Sequence, residues 1–504
     1  MDESKNQIKI GAAISYITLF VNIVLSLLYT PWMVNQIGKS NYALYTLASS
    51  FISIFLMDFG LSSSVSRYIA KFRAEDDNEE RINNFIGTIE RLYIAIDIII
   101  IIILGIFYFC IENIYQGLNH DEILIFRSLY LIVALYSVVS FPFLPLSGII
   151  NAYEKFIQQK ACDMFQKIFS VVLIVLALLI NADVRIVVIA NAISGIITIF
   201  IKIFIIRNHI GVKISINNFD RTIIKQIFSF SIWVTIISLA QRCIFNLAPS
   251  ILGAISNTNE IALFAPANAL EGYFYSFAAA INGLFLARIS RHIAKDEEHK
   301  ITSLAIKVGR YQLILLGSVF IAFIAAGQEF IVLWMGDEFN GAYICAIFMF
   351  IPDFLTFSQQ IFGTTVLAKN AVREQSLGYI GMSIICVCLS FLLCEKYGAF
   401  GSSLAIAISY SFLFFYNNII YKYKINLNVM EFYKKTYLPF CLPFFIASVV
   451  AFLIPNFINV SGWLGVLVSG IVAILFYLIL IIPILTRDER NIFSDMISKL
   501  KNKI

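Results

Sequence analysis

Fourteen uninterrupted apolar runs divide the chain, and each is long enough to cross a bilayer. They cover residues 12–34, 42–67, 87–109, 124–150, 161–180, 185–206, 226–252, 261–288, 304–326, 342–366, 377–394, 400–421, 437–455 and 463–484. A span needs roughly 20 such residues. In hydrocarbon every backbone polar group must also find its partner inside the protein, which restricts spans to helices and closed barrels. A barrel does not fit, because the runs are continuous rather than alternating and about twice the length of a barrel strand. With 14% charged residues the chain also falls well short of the roughly 25% typical of soluble domains. The expected fold is an all-α polytopic membrane protein of about 14 transmembrane helices.

Orientation follows from the basic residues. With the N-terminus placed in the cytoplasm, 27 Lys and Arg residues fall in inner segments and only Lys39, Arg185 and Lys396 in outer loops. Inner loops of membrane proteins carry this excess, and one missed span would scramble the alternation. Both termini are therefore expected inside. The net charge of +5 reflects topology and contact with membrane lipids, and gives no case for nucleic-acid binding. The first run lacks a small-residue cleavage site and is expected to stay as an anchor. The eight cysteines lie in or beside spans, as small buried apolar residues with no disulfide or zinc spacing. Cys386 and Cys388 are expected on different faces of one helix.

An internal repeat organises the runs. Arg67-Tyr-Ile-Ala-Lys71 recurs as Arg291-His-Ile-Ala-Lys295, and Asn41-Tyr-Ala-Leu-Tyr45 resembles Glu260-Ile-Ala-Leu-Phe264. Pro31 and Pro249 align at nearly the same offset. Duplication within a membrane chain is a transporter signature. The expected domains are an N-terminal lobe over 1–206, a cytoplasmic linker over 207–225 and a C-terminal lobe over 226–421. Two further helices lie in 437–484, followed by a cytoplasmic tail over 485–504. Six spans per lobe is an even number, so the lobes enter from the same side as parallel repeats around a central cleft. The ten prolines lie in or at the edges of spans, where they kink helices. Pro142 and Pro145 are expected to share one helix.

Ionisable groups inside spans are costly and are candidates for function. At about 1.5 Å per residue, Arg242, Glu271 and Asp353 each lie about 15 Å below the outer surface, and Asp97 sits at similar depth. Asp58, Arg67, Arg91, Arg288 and Arg310 lie nearer the cytoplasmic mouth. Arg242 either forms a structural ion pair with Glu271 or Asp353, or lines the cleft and attracts an anion such as a lipid diphosphate. Arginine suits phosphate because its planar fork donates bidentately and stays charged. Arg67, Arg91, Arg288 and Arg291 are either further cargo contacts or positive-inside anchors. Glu271, Asp353, Asp97 and Asp58 are candidates for ion pairing or for binding a coupling proton or sodium ion. Tyr42, Tyr45, Tyr273, Phe274, Tyr275 and Phe277 are either a stacking surface for sugars or plain packing. The sequence has no phosphate-binding loop, no His-Glu-x-x-His and no nucleophile elbow, and no outer loop exceeds about 15 residues, shorter than even one span. No catalytic group, cofactor or metal is expected. An enzyme and an ATP-driven pump are both disfavoured.

Three segments carry a family resemblance: Asp58-Phe-Gly-Leu-Ser-Ser-Ser-Val-Ser-Arg-Tyr-Ile-Ala70, Leu333-Trp-Met-Gly-Asp-Glu-Phe339 and Tyr397-Gly-Ala-Phe-Gly-Ser-Ser-Leu-Ala405. Together with the length and the span order, they make the chain resemble the polysaccharide-transporter branch of the multidrug/oligosaccharidyl-lipid/polysaccharide exporter superfamily, the Wzx-type O-antigen flippases. The resemblance implies a MATE-like pair of lobes in the bacterial inner membrane. It also implies alternating access that carries undecaprenyl-diphosphate-linked oligosaccharide from the cytoplasmic to the periplasmic leaflet. A polysaccharide polymerase and a chain-length regulator are the partners it suggests. An ion-coupled multidrug exporter and a murein lipid-precursor flippase are the rivals within the superfamily.

Overall fold

The computed structural model describes residues 2–57, 61–75, 79–211, 221–279, 285–457, 460–487 and 489–491. Asp58, residues 212–220 of the expected linker and residues 492–504 of the expected tail lie outside them. Among the described residues the regular structure is entirely helical. The order is α1 (Asp2–Ile37), α2 (Lys39–Phe55), α3 (Leu61–Glu75), α4 (Glu79–Ile114), α5 (His120–Ser140), α6 (Pro145–Ala152), α7 (Phe156–Ile180), α8 (Val184–Ile205) and α9 (Arg221–Ile255). It continues with α10 (Thr258–Ala279), α11 (Leu286–Ile293), α12 (Glu298–Met335), α13 (Ala342–Ser358), α14 (Gln360–Ala368), α15 (Val372–Tyr423), α16 (Val429–Phe432), α17 (Leu438–Leu453) and α18 (Gly462–Ile481). The described parts of all fourteen apolar runs fall on these helices or on the short turns between them. Among the described residues nine helices are long and apolar enough to cross a membrane, or eleven if two bent pairs each count as one span.

The structure adds breaks to runs that read as continuous. The run 124–150 is α5, a tight turn over Phe141–Phe143 and then α6. Pro142 falls in the turn and Pro145 at the first position of α6, where a missing N–H costs least. Thus the two prolines do not share a helix but separate two. The run 342–366 is α13 and α14, bent by 57° across Gln359. The run 42–67 likewise divides between α2 and α3. The run 261–288 is described as α10 and α11, with residues 280–284 outside the described ones. In the opposite sense α15 covers two runs, joined at Gly398 with φ +53°, a conformation that favours glycine.

The described residues form two compact units. The first comprises residues 1–266 and 376–409, and the second residues 267–375 and 410–504. In the first, α4 turns Ile98, Ile99, Ile101, Ile102, Ile103 and Ile106 outward. Such an exposed aliphatic face is stable only against lipid. Its opposite side buries Tyr93, Ile100 and Leu104. In the second unit α12 is the central helix, packed by α13, α17 and α18. Gly317 of α12 makes room for Tyr477 of α18, whose hydroxyl donates to the Leu313 carbonyl at 3.1 Å. At the expected inner end, Ile289, Leu304, Val308, Phe362, Val366 and Phe432 form one cluster. In both copies of the repeated pentapeptide the isoleucine is the inward residue. Ile69 is fully buried and Ile293 packs on that cluster, while Arg67, Lys71, Arg291 and Lys295 are exposed.

Candidate functional site

The second unit places two acids side by side within its membrane-spanning helices. Glu271 of α10 and Asp353 of α13 are 5% and 4% exposed, and their carboxyl groups lie close enough to interact electrostatically. Asp353 Oδ2 has no hydrogen-bond partner among the described residues. Two stacked rings, Phe274 and Phe350 at 4.5 Å, brace the same pair of helices, and Tyr275 meets Phe357 edge-on at 5.1 Å. Phe274 is thus committed to packing, whereas Tyr275 and Phe277 are exposed. Two neighbouring carboxylates cannot both stay ionised in a dry site without a proton or a cation between them. The arrangement can hold that proton or exchange it for a small cation. Sequence depth had placed the two acids at one level; the packing of α10 on α13 brings them together.

The first unit holds Arg67, Arg91, Asp97 and Arg242. Arg242 is exposed on α9, next to a 42° bend between Arg242 and Ile244. Its carbonyl accepts from Asn246 at 2.8 Å, and its guanidinium makes no ion pair among the described residues. Arg91 of α4 is half-buried. Asp97, one helix face further along, is 7% exposed and its Oδ1 has no hydrogen-bond partner among the described residues. Arg67 of α3 is exposed, as are Arg288 and Arg291 of α11 in the second unit. Beside Arg291, His292 Nδ1 lies 2.8 Å from Glu297 and Lys300 Nζ 2.6 Å from it. Lys300 and His292 together lower the Glu297 carboxyl to about 2.

Two features escaped the sequence reading. The first is a lysine-rich seam in the first unit. Asp163 of α7 accepts from Gln159 at 3.1 Å and from Lys160 at 3.4 Å, and lies 3.9 Å from Lys202 of α8. Lys202 also donates to Ser147 of α6 at 3.0 Å. One turn along α7, Lys167 stands 5.6 Å from the centre of the Tyr29 ring on α1. Asp163 and Lys167 fall in the apolar run 161–180 and Lys202 in 185–206, so the sequence carried a signal for all three. The second feature is a buried ion pair in the second unit. Arg310 of α12 donates to Glu489 twice, at 2.7 and 2.8 Å, and to the carbonyls of Lys435 and Ile484 at 2.9 and 2.7 Å. Glu489 also accepts from the Thr486 amide at 2.7 Å, while its own amide donates to Thr486 Oγ1 at 3.4 Å. This reciprocal Thr-x-x-Glu cap is readable in sequence; its partner 179 residues upstream is not.

Comparison with known proteins agrees with this geometry. The solved structure of "Lipid II flippase MurJ, inward closed conformation" superposes with a TM-score of 0.73 at 15% identity, covering 94% of this chain and 97% of that one. An inward-facing multidrug resistance MATE family transporter of the MOP superfamily gives 0.68 at 14% identity, covering 82% and 98%. A MOP superfamily transporter from Pyrococcus furiosus, described as having a binding pocket of reverse polarity, gives 0.61 at 14% identity over 82% and 95%. At such identities the likeness establishes the fold alone: this is a multi-pass membrane protein with the MurJ and MATE architecture. No curated protein matches it by sequence. Residues 10–286, more than half of the chain, match the model of the family described as polysaccharide biosynthesis protein. The chain belongs to that family.

Proposed function

We propose that this protein is a flippase for undecaprenyl-diphosphate-linked oligosaccharide, the repeat unit of O-antigen or another surface polysaccharide. It moves its cargo from the cytoplasmic to the periplasmic leaflet of the bacterial inner membrane by alternating access of two lobes, and it is not an enzyme. The observation that carries the reading is the separate state of the intramembrane charges. The acids Glu271 and Asp353 lie beside each other, whereas Arg242 is exposed without an ion pair among the described residues. An uncompensated guanidinium at membrane depth is stable only with an anion or water to meet it, and a diphosphate supplies the anion that its fork fits. Family membership supports the polysaccharide cargo. The Glu271–Asp353 proton supports coupling to an ion gradient, with a proton or sodium ion as the exchanged species. A polymerase and a chain-length regulator would act on the delivered repeat units.

A murein lipid-precursor flippase is the second reading, favoured by the 94% coverage in the MurJ superposition. Deletion and complementation separate the two. Loss of surface polysaccharide, with lipid-linked repeat units accumulating on the inner leaflet and restored by the wild-type gene, is the expected result. Persistence of surface polysaccharide without accumulation would refute the polysaccharide reading. A lethal block in murein synthesis would favour the rival.

A further inference from the structure

The bend between α13 and α14 releases a backbone group that the break itself does not satisfy. In a continuous helix the Leu355 carbonyl would accept from the Gln359 amide four residues on. At the bend that amide donates to the Thr356 carbonyl at 3.1 Å, so Leu355 O needs another donor. Two hydroxyls stand in its place. Ser358 Oγ lies 2.7 Å from Leu355 O, Tyr437 Oη lies 3.0 Å from it, and the two hydroxyl oxygens are 2.6 Å apart. Either hydroxyl can donate to the carbonyl. Ser358 is local, but Tyr437 comes from the appended part of the chain, on the π-helical turn Tyr433–Tyr437 that leads into α17. A carbonyl without a donor is costly inside a bilayer, so the segment before α17 is part of what allows α13 to end here.

The same stretch of α13 carries Asp353, two residues before Leu355 and so about 3 Å from it along the axis. Rings hold this stretch from both sides. Phe350 stacks on Phe274 of α10 at 4.5 Å, and Phe354 stacks on Phe444 of α17 at 4.7 Å. Phe320 of α12 meets all four rings, at 5.8 to 6.3 Å. Through α13, the helix that bears Glu271 is thereby joined to α17. Less than one helical turn separates Asp353 from Leu355, so fixing the Leu355 carbonyl also fixes the depth and rotation of Asp353. We infer that Tyr437 is a positioning residue for the acid pair: through Leu355 and Ser358 it holds Asp353 beside Glu271, which gives the appended helices a part in that site. The inference rests on the reading of the pair as the coupling site and deepens it.

The test uses the full-length protein in nanodiscs and dicyclohexylcarbodiimide, an apolar reagent that adds to protonated carboxyl groups within membranes. Labelling of the peptides bearing Glu271 and Asp353 is followed by mass spectrometry in wild type, Ser358→Ala, Tyr437→Phe and the double variant, with Asp353→Asn to assign the label. Each single variant leaves Leu355 O one hydroxyl, so labelling should rise by no more than about threefold. The double variant leaves it none. Removing the last donor of a buried carbonyl brings its full desolvation penalty, so the pair should separate and label about tenfold faster or more. Asp97, buried in a helix of the first unit, is the internal control and should label at the wild-type rate throughout. Equal or slower labelling of the pair in the double variant overturns the inference, as does a parallel rise at Asp97, which would report general loosening. The measurement needs no cargo, so the two readings fail separately. Undiminished transport in Asp353→Asn refutes coupling through the pair, whereas unchanged labelling in the double variant refutes only the role of Tyr437.

Discussion

Replacing either member of the Arg310–Glu489 pair should loosen the last two helices from the second unit, and replacing both should largely restore them. Arg310 and Glu489 side chains are 6% and 2% exposed, and the guanidinium spans α12, the carbonyl of Lys435 before α17 and the carbonyl of Ile484 after α18. In Arg310→Met the Glu489 carboxylate stays buried with only the Thr486 amide, and two carbonyls lose their donor. In Glu489→Leu the guanidinium keeps the carbonyls but loses its counter-charge. Leaving one partner of a buried pair uncompensated costs about 3–5 kcal/mol. Removing both charges is close to neutral, because the desolvation of two ions disappears with their attraction. The double variant should therefore recover most of the loss, with a coupling energy of about 6 kcal/mol or more in the double-mutant cycle. The assay is thermal unfolding of the purified full-length protein, repeated across pH. Burial alone would raise the Glu489 carboxyl, but Arg310 and the Thr486 amide outweigh it and hold it below the ordinary range. A depressed folded value means stability that is present above the ordinary carboxylate value and lost as pH falls below it. The wild type should thus lose stability on acidification below about pH 4.5, and Glu489→Leu should lack that component. Single variants that melt like wild type, or losses that simply add in the double variant, would refute the coupling.

The other substitutions probe separate elements. Glu271→Gln and Asp353→Asn keep the shape and a hydrogen bond while removing the shared proton; transport in vesicles should fall sharply with melting unchanged or higher, and undiminished transport would exclude the pair from coupling. Arg242→Ala should abolish complementation and Arg242→Lys restore part of it, since lysine supplies charge without the bidentate fork; full activity in both would dismiss Arg242 as a cargo contact. Gly398→Ala should destabilise the turn within α15 by about 1–3 kcal/mol. The new methyl would lie 2.2 Å from Glu260 Oε2, which accepts from the Ala399 amide at 2.7 Å; wild-type melting in that variant would contradict the positive φ at this position.

The helical membrane class, the positions of the fourteen runs and the repeated pentapeptide were legible because each depends on local properties. Apolar length sets a span, and the 3.6-residue periodicity places Cys386 inward and Cys388 outward. The breaks within the runs 42–67, 124–150 and 342–366 were not legible. Hydropathy does not change across a bend in hydrocarbon, and only Pro142 and Pro145 hinted at one of them. The acids Glu271 and Asp353 were found by depth. Lys167 was missed because its depth carries no meaning until the partners around it are known.

Sequence alone therefore determined what the bilayer enforces: apolar helices long enough to span, since an unsatisfied backbone costs too much in lipid. Tertiary structure alone decided which charges are neutralised. Glu271 lies beside Asp353, Arg310 meets Glu489 across 179 residues, and Lys167 stands over the Tyr29 ring. Charge compensation depends on contacts of a few ångströms between helices distant in the chain, and no local periodicity encodes them.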